Sequence, residues 1–232
     1  MTDSSNEVMD WDSVYRQEGG FDGPPPWNIG EPQPELAALI DAGEVTGEVL
    51  DAGCGHAELA LALAAAGHNV VGIELSPTAV AAAKQAAAER NLTNATFVED
   101  DITSFTGFDG RFDTIMDSTL FHSIPVEARD GYQQAVFRAA APGAKYFILV
   151  FAKGAFPAEA EMKPNEVTED ELREAVGKYW AIDEIRPAFI HASMPGRAPA
   201  APGQPTFEMP PHALDEKGRM KMPAFLLTAH KA

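Results

Sequence analysis

The residues of this chain whose types and spacing could do chemistry stand at the ends of two apolar runs. Val49-Leu50-Asp51-Ala52-Gly53-Cys54-Gly55 closes on an acid and a glycine-rich turn, and 23 residues beyond Asp51 the run Asn69-Val70-Val71-Gly72-Ile73-Glu74 closes on a second carboxylate. Gly53 and Gly55 lack a Cβ and can take positive φ, so the backbone can turn sharply there and admit a flat, polar ligand against itself. The leucine- and alanine-rich stretch from Glu58 to Ala66, closed by Gly67, reads as a helix, which sets the turn between a buried strand and a helix N-terminus. Glu74 then falls where a doubly wound sheet reads ribose hydroxyls. The spacing is not the G-x-G-x-x-G of the dinucleotide fingerprint.

Two further strand ends carry candidates. Glu99-Asp100-Asp101-Ile102 closes a third strand, and adjacent acids there are either ligand contacts or simply solvated. A fourth strand ends Asp117-Ser118-Thr119-Leu120-Phe121-His122, at the sheet edge where open α/β folds place chemistry. The imidazole of His122 either takes a proton from an attacking hydroxyl or nitrogen, or closes the turn before Ile124-Pro125. His191 follows Ala188-Phe189-Ile190 and reads mainly as a strand end. Cys54 has no sequence signature of an activating base, the histidines lack metal-site spacing, and no Gly-x-x-x-x-Gly-Lys loop exists for a nucleoside triphosphate, so no metal is expected.

The elements that must position these groups alternate along the chain. Residues 1 to about 33 are polar and then rich in Pro and Gly, as in Gly23-Pro24-Pro25-Pro26-Trp27-Asn28-Ile29-Gly30-Glu31-Pro32, which predicts an ordered flap rather than helix interior. A short helix follows over Leu36 to Ala42. Ser76 and Pro77 supply an N-cap and first-turn proline for an alanine-rich helix to about Arg90. Strands are predicted over Ala95 to Glu99, Phe112 to Asp117 and Ala144 to Val150, the last after a helix over Ala128 to Ala139 that Pro142-Gly143 terminates. A helix over Thr168 to Gly177 and apolar runs over Trp180 to Ile190 and Ala224 to His230 complete the pattern, with a Pro-rich stretch between those runs. The fold class is therefore α/β, a doubly wound, mostly parallel sheet of seven strands with an N-terminal flap. Residues 1–43 are assigned to the flap and its helix over the ligand, and 44–232 to the main domain, with a substrate-side segment at about 193–223. Met194, Phe207, Met209 and Met222 in that segment either wall a pocket or pack ordinarily.

Asp51-Ala52-Gly53-Cys54-Gly55 with Glu74 resembles the first motifs of class I S-adenosylmethionine-dependent methyltransferases. The resemblance implies S-adenosyl-L-methionine as cofactor, with Glu74 on the ribose, Asp101 on the adenine amino group and Ile102 on its ring. It also implies Asp117 and Ser118 beside the methionine part, and Leu120 and Phe121 facing the transferred methyl; with Trp27 and the adjacent His122 they make up the expected substrate pocket. The Pro-Trp run containing Trp27 and Gly30 is similar to one ahead of the first motif in thiopurine- and methyl-halide-type enzymes, where it folds over the cofactor and helps wall off the substrate. Asp10-Trp11-Asp12-Ser13-Val14-Tyr15, Asp117 to Ser123 and Phe151-Ala152-Lys153-Gly154-Ala155-Phe156-Pro157 extend the likeness, to about residue 157, toward the mycobacterial heterocyclic-toxin methyltransferases. That group methylates, and so detoxifies, the N-hydroxyl of 1-hydroxyquinolin-4(1H)-ones such as the 2-heptyl compound. Ala57 departs from the family, many of whose members carry a third glycine there.

Composition bounds the alternatives. The 232 residues, 45% hydrophobic, suit one domain with one buried core. A net charge of -18 without a basic cluster repels phosphate backbones, so nucleic acid and anionic membranes are poor partners and a small neutral or weakly acidic substrate remains open, which the resemblance makes a small heterocyclic aromatic one. The N-terminus lacks a secretory pattern and no run approaches a membrane span, which predicts a cytoplasmic protein. In that setting the matches at Asn91 and Asn94 to the glycosylation pattern are chance. The rivals are a thiol, halide or quinone-precursor methyltransferase, a module that holds S-adenosylmethionine without turnover, and a dehydrogenase, which the missing fingerprint disfavours. Sequence leaves oligomeric state open.

Overall fold

A computed structural model describes residues 10–16, 18, 24–158, 163–193 and 212–232. Two helices precede the sheet: α1, Trp11–Tyr15, and α2, Pro34–Asp41, which starts on a proline where a missing N–H costs nothing. Strand and helix then alternate as β1 Glu48–Ala52, α3 Glu58–Ala65, β2 Asn69–Glu74, α4 Pro77–Glu89, β3 Ala95–Glu99 and β4 Phe112–Ser118. The second half comprises α5 Arg129–Ala139, β5 Ala140–Phe151, α6 Glu169–Gly177, β6 Ala181–Ala192 and β7 Met220–His230. Ser76 caps α4 by accepting from Ala79 N at 3.1 Å, and Thr168 with Glu171 forms a capping box on α6.

The seven strands stand in the order β3-β2-β1-β4-β5-β7-β6. β1 to β5 pair in parallel, and β7 runs antiparallel to both β5 and β6. Alternate side chains of a strand face opposite sides, so Val49, Phe147 and Leu149 join Leu36, Leu61 and Val80 in one core while Leu50, Tyr146 and Ile148 join Tyr132, Val136, Leu172 and Trp180 in the other. Helices on both faces explain why β1 is buried continuously from Val49 to Ala52 rather than on alternate residues. The connection order reverses between β1 and β4, and the crevice outside the carboxyl ends of strands at such a point is where this architecture binds ligands.

Two sequence expectations are corrected. Pro142-Gly143 does not end α5; the helix stops at Ala139, Ala140 already pairs with Phe112, and the register jumps to Thr114 opposite Lys145. The dipeptide forms a bulge inside β5, with Gly143 at φ 76 donating its N–H to Lys231 O. The Pro-rich segment also ends earlier than residue 223, because β7 begins at Met220, and Met222 pairs with Ile190 and packs in the core. Met194, Phe207 and Met209 lie outside the described residues.

Candidate active site

The glycine turn is gripped from three sides. The N–H groups of Gly53 and Cys54 both donate to Ile73 O, and Gly53 and Gly55 stand at φ 64 and 51. A Cβ on Gly53 would fall 2.6 Å from Leu120 Cδ1, and one on Gly55 would fall 2.5 Å from the Tyr15 hydroxyl. Only a backbone without side chains fits between the loop after β4 and helix α1. Ala57 takes φ 65 as the residue ahead of α3, a conformation that strains an L side chain. Cys54 Sγ lies 2.7 Å from where a Cβ on Gly72 would stand, and burial pushes its thiol up, so it packs and does not react.

Three buried carboxyl groups converge on this crevice. Glu74 accepts from Gly55 N at 3.0 Å through one oxygen and from Ser76 N at 3.0 Å through the other, fixing the turn to the start of α4, and burial raises its pKa. Asp51 is 1% exposed; its Oδ2 accepts from Ala60 N at 3.1 Å, while its Oδ1 is buried with no partner among the described residues. Burial, with Asp117 and Glu74 nearby, pushes Asp51 up to about 7. Asp117 accepts from the N–H groups of Leu120 at 2.8 Å and Phe121 at 3.2 Å, and from the Tyr132 hydroxyl at 2.8 Å. Tyr132 is backed by Tyr146 and that by Gln133, each at 3.0 Å, and burial pushes Asp117 up to about 7 as well. These bonds hold Thr119 at φ 71, an unusual conformation for a β-branched residue at the mouth of a site.

Other expected residues fall less simply. Ser118 ends β4 half-buried, paired with Leu149. Asp101 is exposed and uses Oδ1 to accept from Thr103 N and Oγ1, while Ile102 is only 8% exposed and joins the core. Leu120 points at Gly53, but Phe121 does not face a pocket: it is fully buried, 6.4 Å from the Tyr132 ring and 4.6 Å beneath Arg129. The Asp117 bonds turn the chain so that successive residues diverge. Gly30 is exposed at φ 74, with open space about it and its N–H on Asn28 Oδ1, so it serves the local turn.

His122 is 3% exposed, and its Nδ1 accepts from Phe151 N at 3.2 Å with the two rings 4.4 Å apart. Burial and the neighbouring Arg129 push it down to about 3. The expectation of a general base is therefore corrected: the ring is neutral at physiological pH and its one lone pair is already occupied.

Several residues that sequence reasoning missed complete the crevice. Tyr15 meets His56 edge-on at 4.8 Å, burial beside Glu74 raises its pKa well above the ordinary value, and the Trp27 indole donates to its hydroxyl. Trp27 in turn meets Trp11 edge-on at 6.1 Å, and Asn28 Nδ2 lies 2.9 Å from His56 Nδ1. Asp12 anchors α1 by accepting from Ser76 Oγ at 2.6 Å and Thr78 N at 3.1 Å. Gln33, 4% exposed, donates to the carbonyls of Trp27 and His191 and accepts from His191 N, tying the N-terminal loop to β6. His191 Nδ1 meets Asp215 at 2.8 Å, and Arg219 links Asp215 to Glu31, so His191 is part of a latch. The acidic positions of α1 were the one visible signal for this group.

A buried acceptor without a partner, flanked by two more carboxyl groups, fits a ligand that carries positive charge, and the sulfonium and ammonium groups of S-adenosylmethionine supply it. Among the described residues no helix is long and apolar enough to cross a membrane. Residues 49–143 match a methyltransferase domain model. The chain is 54% identical over 198 residues to the 2-heptyl-1-hydroxyquinolin-4(1H)-one methyltransferase of Mycobacteroides abscessus, covering 84% of this chain and 86% of that protein. It is 30% identical over 150 residues to a probable thiol methyltransferase of Arabidopsis thaliana, covering 64% of each. A structure solved in work on the conversion of a disulfide bond into a thioacetal group during echinomycin biosynthesis matches with a TM-score of 0.80 and 33% identity, covering 97% of this chain and 92% of that one. With a strand order, a glycine turn and a carboxyl cradle that agree with these likenesses, the chain belongs to the class I S-adenosylmethionine-dependent methyltransferases.

Proposed function

We propose that this enzyme transfers a methyl group from S-adenosylmethionine to the N-hydroxyl oxygen of 2-alkyl-1-hydroxyquinolin-4(1H)-ones, inside the cell, where the product is a detoxified form. The observation that carries this reading is the 54% identity, over most of both chains, with the enzyme named for the 2-heptyl compound. The buried carboxyl cradle at β1, β2 and β4 supports the cofactor side of it, and the cluster of the His122, Phe151 and Phe156 rings supports a flat aromatic acceptor.

When bound, S-adenosylmethionine supplies an electrophilic methyl on a cationic sulfur. Asp51 would offer its unpartnered oxygen to the cofactor's positive end, Glu74 would take the ribose, Asp101 and Ile102 the adenine, and Asp117 and Ser118 would border the methionine part. Residues 1–43 act as the cover and 44–232 as the catalytic domain, the cover held shut by the Gln33 and Glu31 contacts with residues 191 and 217–219. With the cofactor bound, the substrate oxygen would take its methyl group, S-adenosylhomocysteine would be the other product, and the N-hydroxyl proton would pass to solvent. An N-hydroxyl is acidic for a hydroxyl, so a protein base is unnecessary, in keeping with the neutral, occupied ring of His122. Alignment in a dry site can supply about 7–11 kcal/mol of the barrier.

A thiol acceptor is the second reading, favoured by the thiol methyltransferase likeness. The test is incubation of the purified protein with S-adenosylmethionine and a panel of a 2-alkyl-1-hydroxyquinolin-4(1H)-one, a phenolic quinone precursor, an aryl thiol and iodide, read by mass spectrometry. A gain of one methyl on the N-hydroxyquinolone is the expected result. Methylation of the thiol, phenol or iodide without the quinolone overturns the substrate assignment, and binding of the cofactor without transfer to any acceptor overturns the reaction.

A further inference from the structure

The bond between Phe151 and His122 decides more than the absence of a base. A main-chain N–H can only donate, so the His122 Nδ1 that it meets must present a lone pair, and the neutral ring must carry its proton on Nε2. Among the described residues Nε2 makes no hydrogen bond, and although the side chain is only 3% exposed, Nε2 is not one of the polar atoms sealed from solvent without a partner, so it keeps an opening to the outside. The ring's orientation is fixed from several directions. Its own carbonyl accepts from Asn165 N at 2.8 Å, Asn165 Nδ2 donates to Ile124 O at 3.3 Å, and Arg129 donates to Asn165 O at 2.7 Å. The plane lies against Phe151, which meets Phe156 edge-on at 4.9 Å. A rigid, neutral N–H donor thus stands among aromatic rings at the carboxyl ends of β4 and β5, two residues past the Leu120 that contacts the glycine turn.

The geometry points to His122 as a specificity-determining hydrogen-bond donor, whose Nε2–H holds the ring carbonyl oxygen of the acceptor substrate while the N-hydroxyl faces the methyl. This rests on the N-hydroxyquinolone reading above. A donor fixed in this way recognises a carbonyl and is left unpaired by a ring that lacks one, and a site built to pair a polar group rejects the analogue without it more strongly than an apolar site could. In the ionised substrate the negative charge spreads onto that carbonyl oxygen, which strengthens the same bond. The two ring nitrogens divide the work: Nδ1 is paired inside the protein with Phe151 N, and Nε2 keeps its opening.

The test separates donor, base and structural roles. A Gln amide reaches the place of Nε2 and an Asn amide the place of Nδ1, so kcat/KM is measured for the parent, His122→Gln and His122→Asn on a 1-hydroxyquinolin-4(1H)-one and on a 1-hydroxyindole, which lacks the ring carbonyl. The expected result is that His122→Gln stays within about threefold of the parent on the quinolone while His122→Asn loses about tenfold or more, with no comparable loss on the indole. Equal losses on both acceptors, retention by Asn rather than Gln, or loss in both variants restored by added external base overturns it. Nitrogen-15 NMR of the histidines in the unsubstituted enzyme gives a readout that no variant can spoil. It should show His122 with an unprotonated Nδ1, no titration from pH 5 to 9, and an Nε2–H resonance that moves downfield when S-adenosylhomocysteine and the quinolone bind. A His122 that titrates near pH 6.5, or an Nε2–H unmoved by the quinolone, refutes the assignment. Failure of the parent to methylate the quinolone at all is a different outcome and removes the substrate reading itself.

Discussion

Replacing Asp51 by Asn should make the cofactor-free protein more stable and the cofactor more weakly bound, and both signs follow from one carboxyl group. Asp51 is 1% exposed, with one oxygen on Ala60 N and the other without a partner among the described residues. Its pKa rises from 3.8 to about 7 in the fold. Between those values the native protein binds a proton that the unfolded chain has released, so stability is fully present below the lower value and declines as pH rises through the upper one. A difference of about three pH units at about 1.4 kcal/mol each amounts to about 4 kcal/mol lost by pH 8. Asparagine has the shape of the neutral carboxyl and does not titrate, so at pH 4 the two proteins should nearly match, and by pH 8 the variant should lead by up to about 4 kcal/mol. Urea melts of cofactor-free protein at steps from pH 4 to 8 measure this. The Asn side chain forfeits the anionic partner of the cofactor's positive end, and loss of one charge-assisted bond should weaken S-adenosylmethionine by about tenfold or more in calorimetry. A stability gap that does not change with pH, or a variant that binds the cofactor as tightly as the parent, refutes the reasoning.

Replacing Glu74 by Ala strips the N–H groups of Gly55 and Ser76 of their acceptor as well as removing the proposed ribose contact, so S-adenosylmethionine affinity should fall about tenfold or more, and an unchanged isotherm would sink that assignment. Tyr132→Phe leaves Asp117 Oδ2 and the Tyr146 hydroxyl without their shared partner, at about 1–3 kcal/mol. Because the lost bond favours the ionised carboxyl, Asp117 should rise further and the deficit should widen from pH 6 to 8 in chemical denaturation; a deficit that narrows contradicts this. Ala57→Gly relieves a left-handed backbone at a cost of some chain entropy, and a gain of about 0.5–1 kcal/mol in urea melts is expected, whereas a loss would show that the strain is absent.

The parts of this fold legible in the sequence are those whose cause is local. The β1 run, the glycine turn, the α3 stretch and Glu74 are read from apolar period and turn chemistry within 25 residues, and the structure places them as one unit whose carboxylate reaches back to Gly55 N. Contacts that depend on distant partners were not legible. Tyr15 lies against Gly55 only because Asp12 caps α4, and Gln33 meets His191 across 158 residues of chain. Turn chemistry also misled: Pro142-Gly143 signals a stop in isolation, but with Ala140 already on Phe112 the same two residues make a bulge within a strand.

The misreading of Phe121 has its origin at Asp117. From sequence, consecutive residues after a strand end all read as facing the crevice. Asp117 instead accepts from two successive N–H groups, which winds the chain so that Leu120 covers Gly53 while Phe121 enters the core under Arg129. That winding needs a buried carboxylate that destabilises the fold unless its oxygens are occupied, and Tyr132 with the two N–H groups occupies them. Asp51 is the opposite case, a buried carboxyl whose second oxygen no described residue satisfies. Of two acids on neighbouring strands with nearly the same perturbed titration, the satisfied one builds the loop and the unsatisfied one is the one we propose for the ligand. The distinction is carried by the partners of individual oxygens, and residue type, burial and strand position are the same for both.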